Sequence, residues 1–383
     1  MSRILIVGGG FAGFWAAMAA KRVAGDKAEV SLVSRTPTLE MRPRLYEASP
    51  ETLGIDLREP LGAVGIRFVE GEATGLDVAA RRVVLAAGGL DYDRLVVATG
   101  SAMRRPPVPG ADQAYSIDTQ GEAIRLDRRL ALGVKSVAVI GAGFTGIELA
   151  LELRDRLAAH GHDGEALRIV LIDRSPAVGA ELGCGPRPTI EAALAEARIE
   201  LRLGAAVTSL AADRVAFADG AALAVDAVVL TTGMAAADFV RHVPGERDGL
   251  GRLKVERSLR APEAPGIFVT GDAAAADTGT GNVALQSCQH ALQLGRFAGE
   301  NAARDLLGLP LVDYAQPRYV ICLDLGRTGA VFTEGWDRVV QKSGADAKAI
   351  KRRINTQVIY PPPNATGVVL LALSHTDPAQ RPQ

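Results

Sequence analysis

Two short glycine-rich turns constrain this chain more than anything else in it. The first reads Arg3-Ile-Leu-Ile-Val-Gly8-Gly-Gly10-Phe11-Ala12-Gly13 and the second Ser136-Val-Ala-Val-Ile-Gly141-Ala-Gly143-Phe144-Thr145-Gly146. In each, an apolar β-branched run predicts a buried strand, G-x-G-x-x-G predicts a tight turn, and the Ala/Leu-rich stretch beyond predicts a helix. The first glycine permits the turn, the second lets backbone approach a pyrophosphate, and the third packs helix close on strand. An anion then rests on the unpaired N–H groups at the positive end of that helix. Two such turns in one chain predict two bound dinucleotides.

The order of elements repeats as well. The opening unit reads as strand 3–7, helix 11–24 and strand 28–34, followed by a charged loop from Thr36 to Glu47. It closes on the buried run Leu95-Val-Val-Ala98-Thr99-Gly100, before the extended linker Arg104-Arg-Pro-Pro-Val-Pro-Gly110. The second unit adds helix 145–159 and strand 168–173, and closes on Asp226-Ala-Val-Val-Leu-Thr-Thr-Gly233. This is a duplication at domain scale. The chain then returns to the first unit with Gly266-Ile-Phe-Val-Thr-Gly271-Asp272, which carries an aspartate to the carboxyl end of a strand, where open α/β sheets bind ligands. A helical stretch, Leu285 to Leu307, follows. The reading is an α/β protein with two Rossmann-like dinucleotide-binding domains and a small C-terminal α+β domain. Residues 1–110 with 251–310 form the FAD-binding domain, 111–250 the NAD(P)H-binding domain, and 311–383 a cap or interface.

Composition excludes other classes. At 383 residues the chain exceeds one ordinary core. A formal net charge of −1 gives no general attraction to nucleic acid or anionic membrane. The first strand begins at Arg3, which leaves no room for a signal pattern, and apolar runs such as Val368–Leu373 are strand-sized. A cytoplasmic chain is expected, at most peripheral at the inner face of a membrane. Cys184, Cys288 and Cys322 form no C-x-x-C pair, so neither a metal site nor a sequence-local redox disulfide is predicted.

Gly8-x-Gly10-x-x-Gly13, Ala98-Thr99-Gly100, Gly141-x-Gly143-x-x-Gly146 with Glu148, and Thr270-Gly271-Asp272 together resemble the two-dinucleotide-binding flavoprotein oxidoreductases. Within them, Phe144-Thr-Gly-Ile-Glu-Leu-Ala150 and Cys288-Gln289-His-Ala-Leu-Gln293-Leu-Gly295 resemble the type II NADH dehydrogenases. In that family the second stretch is usually A-Q-x-A-x-Q-Q-G and lies between flavin and quinone. Gln289, Gln293 and Gly295 match, while Cys288 and Leu294 depart. The resemblance implies FAD as cofactor, NADH (or NADPH) as co-substrate, and a small acceptor such as a quinone. The extra C-terminal domain fits a homodimer.

Role by role, Gly8, Gly10, Phe11, Ala12 and Gly13 are expected at the FAD pyrophosphate, and Asp272 on the ribityl chain, with helix N-capping as its plainer reading. Ala98, Thr99, Gly100 and Gly271 complete that site. Strand 28–34 ends in Ser34-Arg35, where an acid for the adenosine ribose is usual, so that end of FAD is gripped differently. Gly141, Gly143, Phe144, Thr145, Gly146 and Gly233 are expected at the nicotinamide dinucleotide. Asp173 is placed to accept from the ribose 2′-hydroxyl and favours NADH, although Arg174 beside it is suited to a 2′-phosphate. Glu148 lies in the first turn of its helix, where the dipole alone favours a carboxylate. The resemblance places such a glutamate near the nicotinamide–flavin contact. Gln289 and Gln293, four apart, share a helical face and offer amides to a quinone oxygen or the flavin edge.

The sulfide:quinone oxidoreductases are relatives of the same fold that need two cysteines, and the stretch Ile147–Glu152 supplies none. Cys322 reads as a small buried apolar side chain. The stretch Lys348-Ala-Ile-Lys-Arg-Arg-Ile354 reads as a basic, solvated surface helix, and the tail Ser374–Gln383 as too polar to anchor on a membrane. The expectation is an FAD-dependent NAD(P)H dehydrogenase that passes electrons on without a redox disulfide. A ferredoxin- or rubredoxin-type reductase, a sulfide:quinone oxidoreductase relative and a flavin-binding redox sensor stand as alternatives.

Overall fold

The computed structural model describes residues 1–382. Two five-stranded parallel sheets dominate it, with the same strand order. The first runs Ile267–Val269, Arg94–Val97, Ser2–Val7, Ala28–Ser34, Arg67–Glu70, and the second Tyr115–Ser116, Ala227–Leu230, Ser136–Ile140, Arg168–Ile172, Glu200–Arg202. In both, the strand before the glycine turn lies at the centre and is buried on both faces, which is why it reads as an unbroken apolar run. Each unit also carries a three-stranded antiparallel meander, Ala73–Asp91 in one and Val207–Ala224 in the other. The edge strands differ in origin: the first sheet takes Ile267–Val269 from the returning chain, the second Tyr115–Ser116 from the segment that enters it.

The two connections between the sheets pair with each other. Ser101–Met103 and Met234–Ala236 form a short antiparallel ribbon, with Ala102 opposite Ala235.

The first cradle helix, Phe11–Ala24, is buried along nearly its whole length, with Lys21, Arg22 and Val23 partly exposed at its end. Those two cations suit the negative end of the helix dipole, and Gly25 at φ +54° closes the helix. Its outer side is covered by the return helix, Cys288–Leu306. A Cβ on Gly295 or Gly299 would fall under 3.0 Å from the Ala12 or Ala16 carbonyl oxygen. Two glycines four apart therefore let the helices touch backbone to backbone. Arg22 and Glu300 pair across that contact at 2.5 Å.

The C-terminal part is an antiparallel sheet, Val320–Asp324, Ala330–Glu334 and Val339–Ser343, followed by a helix Gly344–Arg353. The apolar run after it forms a short helix, Gly367–Leu373, at whose start the Thr366 hydroxyl accepts from the N–H of Val369 at 3.4 Å.

Candidate active site

Each glycine turn is shaped by a different constraint at each glycine. Gly8 has φ +114°, and a Cβ there would collide with the Ala98 carbonyl. Gly13 packs on the Gly8 carbonyl just as closely. Gly10 is the opposite case: a Cβ would meet nothing within 4 Å, so the space before the helix is open. No side chain caps the first turn of this helix and no acid lies in it. At the ends of the two paired strands beside the central one, Thr99 Oγ1 and Thr270 Oγ1 are buried without a partner. Buried hydroxyls in a native protein are nearly always satisfied, so these two point to a polar occupant. Asp272 accepts from Ser101 Oγ at 2.7 Å. Burial raises its carboxyl while Arg42 pulls it down. The residues therefore fit FAD: an open anion seat at a helix start, two free hydroxyls and a carboxylate. Phe11 and Ala12 are buried at the start of the helix, and Gly271 at φ +63° brings the Asp272 turn against Ala12. Gly100, at φ +71°, also faces open space. Ser34 Oγ stands beside Gly9, while Arg35 reaches out to Glu72 at 3.8 Å on the surface.

The second turn repeats the backbone. Gly141 at φ +113° lies against the Thr231 carbonyl, and Gly146 against that of Gly141. Here the seat is filled. Glu181 Oε1 accepts from the Phe144 N–H at 2.9 Å, where a Cβ on Gly143 would stand. Asp173 accepts from the N–H groups of Ala142 and Ser175, both at 2.7 Å. Its carboxylate thus braces the glycine turn and retains lone pairs for a hydroxyl. Thr145 and Gly233 are exposed at the rim, Gly233 with φ +83°.

Between the second cradle's helix, the first unit's Tyr46 and the C-terminal part lies a charged junction that sequence alone did not reveal. Glu148 stands in the second turn of Phe144–Ala159, not the first as expected, and its partners come from the C-terminal part: it is 3% exposed, accepts from the Asp324 N–H at 2.9 Å, and meets Lys351 Nζ at 2.8 Å. Lys351 Nζ is 5.5 Å from the ring centres of both Tyr46, in the first unit, and Phe144, in the second. Tyr46 donates to Asp324 Oδ2 at 3.2 Å and accepts from Asn355 at 3.1 Å, and Lys348 pairs with Asp324. Burial pushes the Glu148 carboxyl up to about 7 against the pull of Lys351. Burial also works against charge on Lys351, but Glu148 and Asp324 outweigh it and hold the ammonium above its ordinary value. Glu152, one turn on, is likewise pushed up to about 7 by burial, with Asp324 adding to it.

The basic helix is therefore not a solvated one. Lys351 and Lys348 turn inward because Glu148 and Asp324 wait for them, and Arg352 and Arg353 stay outside. The only trace of this in the sequence was a lysine pair on a helix that also carries Ile350 and Ile354.

Gln289 and Gln293 have partners other than an open acceptor face. Gln289 bonds the backbone of Val320 through both ends of its amide, at 2.7 and 3.4 Å. Gln293 Oε1 accepts from Arg381 at 2.8 Å. The cysteines are all free. Burial pushes Cys322 up to about 12 and Cys288 to about 11, so neither is a thiolate at neutral pH.

A family model described as pyridine nucleotide-disulphide oxidoreductase matches residues 2–295. An NADH dehydrogenase-like protein of Mycobacterium tuberculosis is 40% identical, covering 100% of both chains. The demethylphylloquinone reductase of Synechocystis is 27% identical over 86% of each. Among solved structures, the sulfide:quinone oxidoreductase of Aquifex aeolicus shares the fold, with TM-score 0.74 and 20% identity over 93% of this chain and 90% of that one. With two dinucleotide-binding sheets joined by a ribbon and a charged junction between them, the chain is an oxidoreductase that belongs to the pyridine nucleotide-disulphide oxidoreductase family.

Proposed function

We propose that the protein is an FAD-dependent NADH dehydrogenase whose second substrate is a quinone. The observation that carries this reading is the Glu148–Lys351 pair, buried where the first unit's Tyr46, the second cradle's helix and the C-terminal layer meet. Residues 1–110 with 251–310 hold FAD, residues 111–250 hold NADH, and residues 311–383 close the acceptor side. Bound FAD supplies hydride acceptance from NADH and electron delivery to the acceptor.

The chain's own residues do the rest. Gly8 and Gly13 close the turn while Gly10 leaves room for one pyrophosphate, Thr99 and Thr270 offer hydroxyls, and Asp272 accepts from a sugar-like hydroxyl. Gly141, Gly143 and Gly146 repeat the arrangement for the second dinucleotide, with Asp173 at the ribose favouring NADH over NADPH. Burial pushes the Glu148 carboxyl up to about 7, which suits it to take up and release a proton near neutral pH, while Lys351 balances the charge of the carboxylate. Gln289 and Gln293 act on the acceptor side by fixing Val320 and Arg381, the layer that covers it.

Quinone as acceptor is supported by the names of the relatives, one a demethylphylloquinone reductase and another a type II NADH:quinone oxidoreductase. No helix among the described residues is long and apolar enough to cross a membrane. The test is an anaerobic titration of the purified yellow protein. NADH is expected to bleach it in one two-electron step and a quinone to restore the colour. A protein that NADH does not bleach ends the reading; one reoxidised by a ferredoxin or by no quinone transfers it to another acceptor class.

A further inference from the structure

The two glycine cradles differ in one atom group. The seat before Phe11–Ala24 is open, whereas the seat before Phe144–Ala159 holds the carboxylate of Glu181. Both backbones leave the same room, since a Cβ at Gly10 or Gly143 would project into it. A pyrophosphate and the Glu181 carboxylate want the same thing there: an N–H donor at the positive end of a helix. They cannot have it together, because two like charges would compete for one N–H in one small space.

We propose that Glu181 is an internal anion that occupies the pyrophosphate seat of the second cradle and sets the affinity for the pyridine dinucleotide by having to leave it. This rests on the second cradle being the NAD(P)H seat. The surroundings suit a side chain that swings while the backbone stays. Glu181 is exposed, on a single turn, Ala180–Leu182, between Gly179 at φ +57° and Gly183 at φ +77°. Buried Leu182 anchors that turn, and the Gly179 N–H holds the Ala142 carbonyl of the cradle at 2.8 Å. Only the torsions of Glu181 have to change for the seat to empty. The device keeps the helix start satisfied when no nucleotide is present, and it favours ligands that bring a stronger anion than a carboxylate. The flavin cradle has no such competitor, consistent with a cofactor that stays while the co-substrate exchanges.

The test is calorimetric binding of NAD⁺ and of ADP-ribose, neither of which reduces flavin, to the FAD-loaded protein. An anion held at an exposed helix start keeps the seat closed most of the time, so Glu181→Ala should tighten both ligands about three- to sixfold. Glu181→Gln, which keeps a neutral acceptor, should tighten them less. Unchanged flavin content in each variant shows that the fold is intact. If the wild-type protein binds both ligands and Glu181→Ala binds them equally or more weakly, the gate is overturned and the nucleotide seat stands. If neither ligand binds any of the three proteins, the seat itself is misassigned and the gate goes with it.

Discussion

The two cradle helices begin with the same motif and are held by different balances of force. Phe11–Ala24 is gripped chiefly by apolar contact, with Gly295 and Gly299 admitting the return helix to within backbone distance of Ala12 and Ala16 and the Arg22–Glu300 pair at the far end. Phe144–Ala159 is gripped by charge. Glu148 meets Lys351, Arg156 is fully buried on Asp127 and the carbonyls of Leu45 and Ala123, and Arg154 holds Gly164, Glu165 and Ala197. The difference teaches what a shared motif leaves open. Dry packing gives a rigid, permanent seat, which suits a resident flavin. Buried ion pairs bring groups that can carry a proton to the face where a co-substrate comes and goes.

The largest effect should separate the seats outright. Gly10→Val fills space that no protein atom occupies, so the apoprotein should fold yet lose its flavin completely. Visible absorbance checks this, and retained colour would show that the first seat is not the flavin's.

Next is the charged grip. Lys351→Met leaves Glu148 buried without its counter-charge, a loss of about 3–5 kcal/mol by denaturant titration. Because the Glu148 carboxyl can escape by taking a proton, the loss should be larger above pH about 7 than below it. A constant loss across that range would mean that the two groups do not face each other as described.

The apolar grip should break more gently. Gly295→Ala drives a methyl into the Ala12 backbone, and overpacking of this kind costs about 1–3 kcal/mol. Melting temperature measures it, and a change with pH would contradict an apolar contact.

The last effect is a slope. Burial raises the Glu148 carboxyl, so the stability it contributes is fully present below the ordinary carboxyl value of 4.5 and is lost as pH rises through about 7. Glu152 moves the same way. Glu148→Gln should flatten part of that slope and remove an inflexion near pH 7 from the kcat/KM profile for NADH, and Glu152→Gln should flatten only the stability. An inflexion that survives Glu148→Gln assigns it to another group.

Much of the first cradle was legible because its chemistry is local. Gly8, Gly10 and Gly13 have the spacing of a turn, and the strand and helix flanking them carry their own periodicity. Gly295 was visible only as part of a family pattern, and the fold supplies its packing reason against Ala12. Glu148 was legible as a candidate carboxylate but was expected one turn too early in its helix, and its partner Lys351 lies far along the chain on a helix that reads as solvated. Glu181 left no signal at all, since a glutamate in a loop is ordinary until a neighbouring N–H comes within 2.9 Å.

What the chain determined by itself is the pair of strand–turn–helix units, because hydrophobic period and glycine stereochemistry act within a few residues. What only the tertiary structure decided is how each unit is occupied and charged. Desolvation and ion pairing depend on distances between residues remote in sequence, and so the Glu148–Lys351 contact and the Glu181 carboxylate in its seat exist only once the sheets, the return helix and the C-terminal layer have come together.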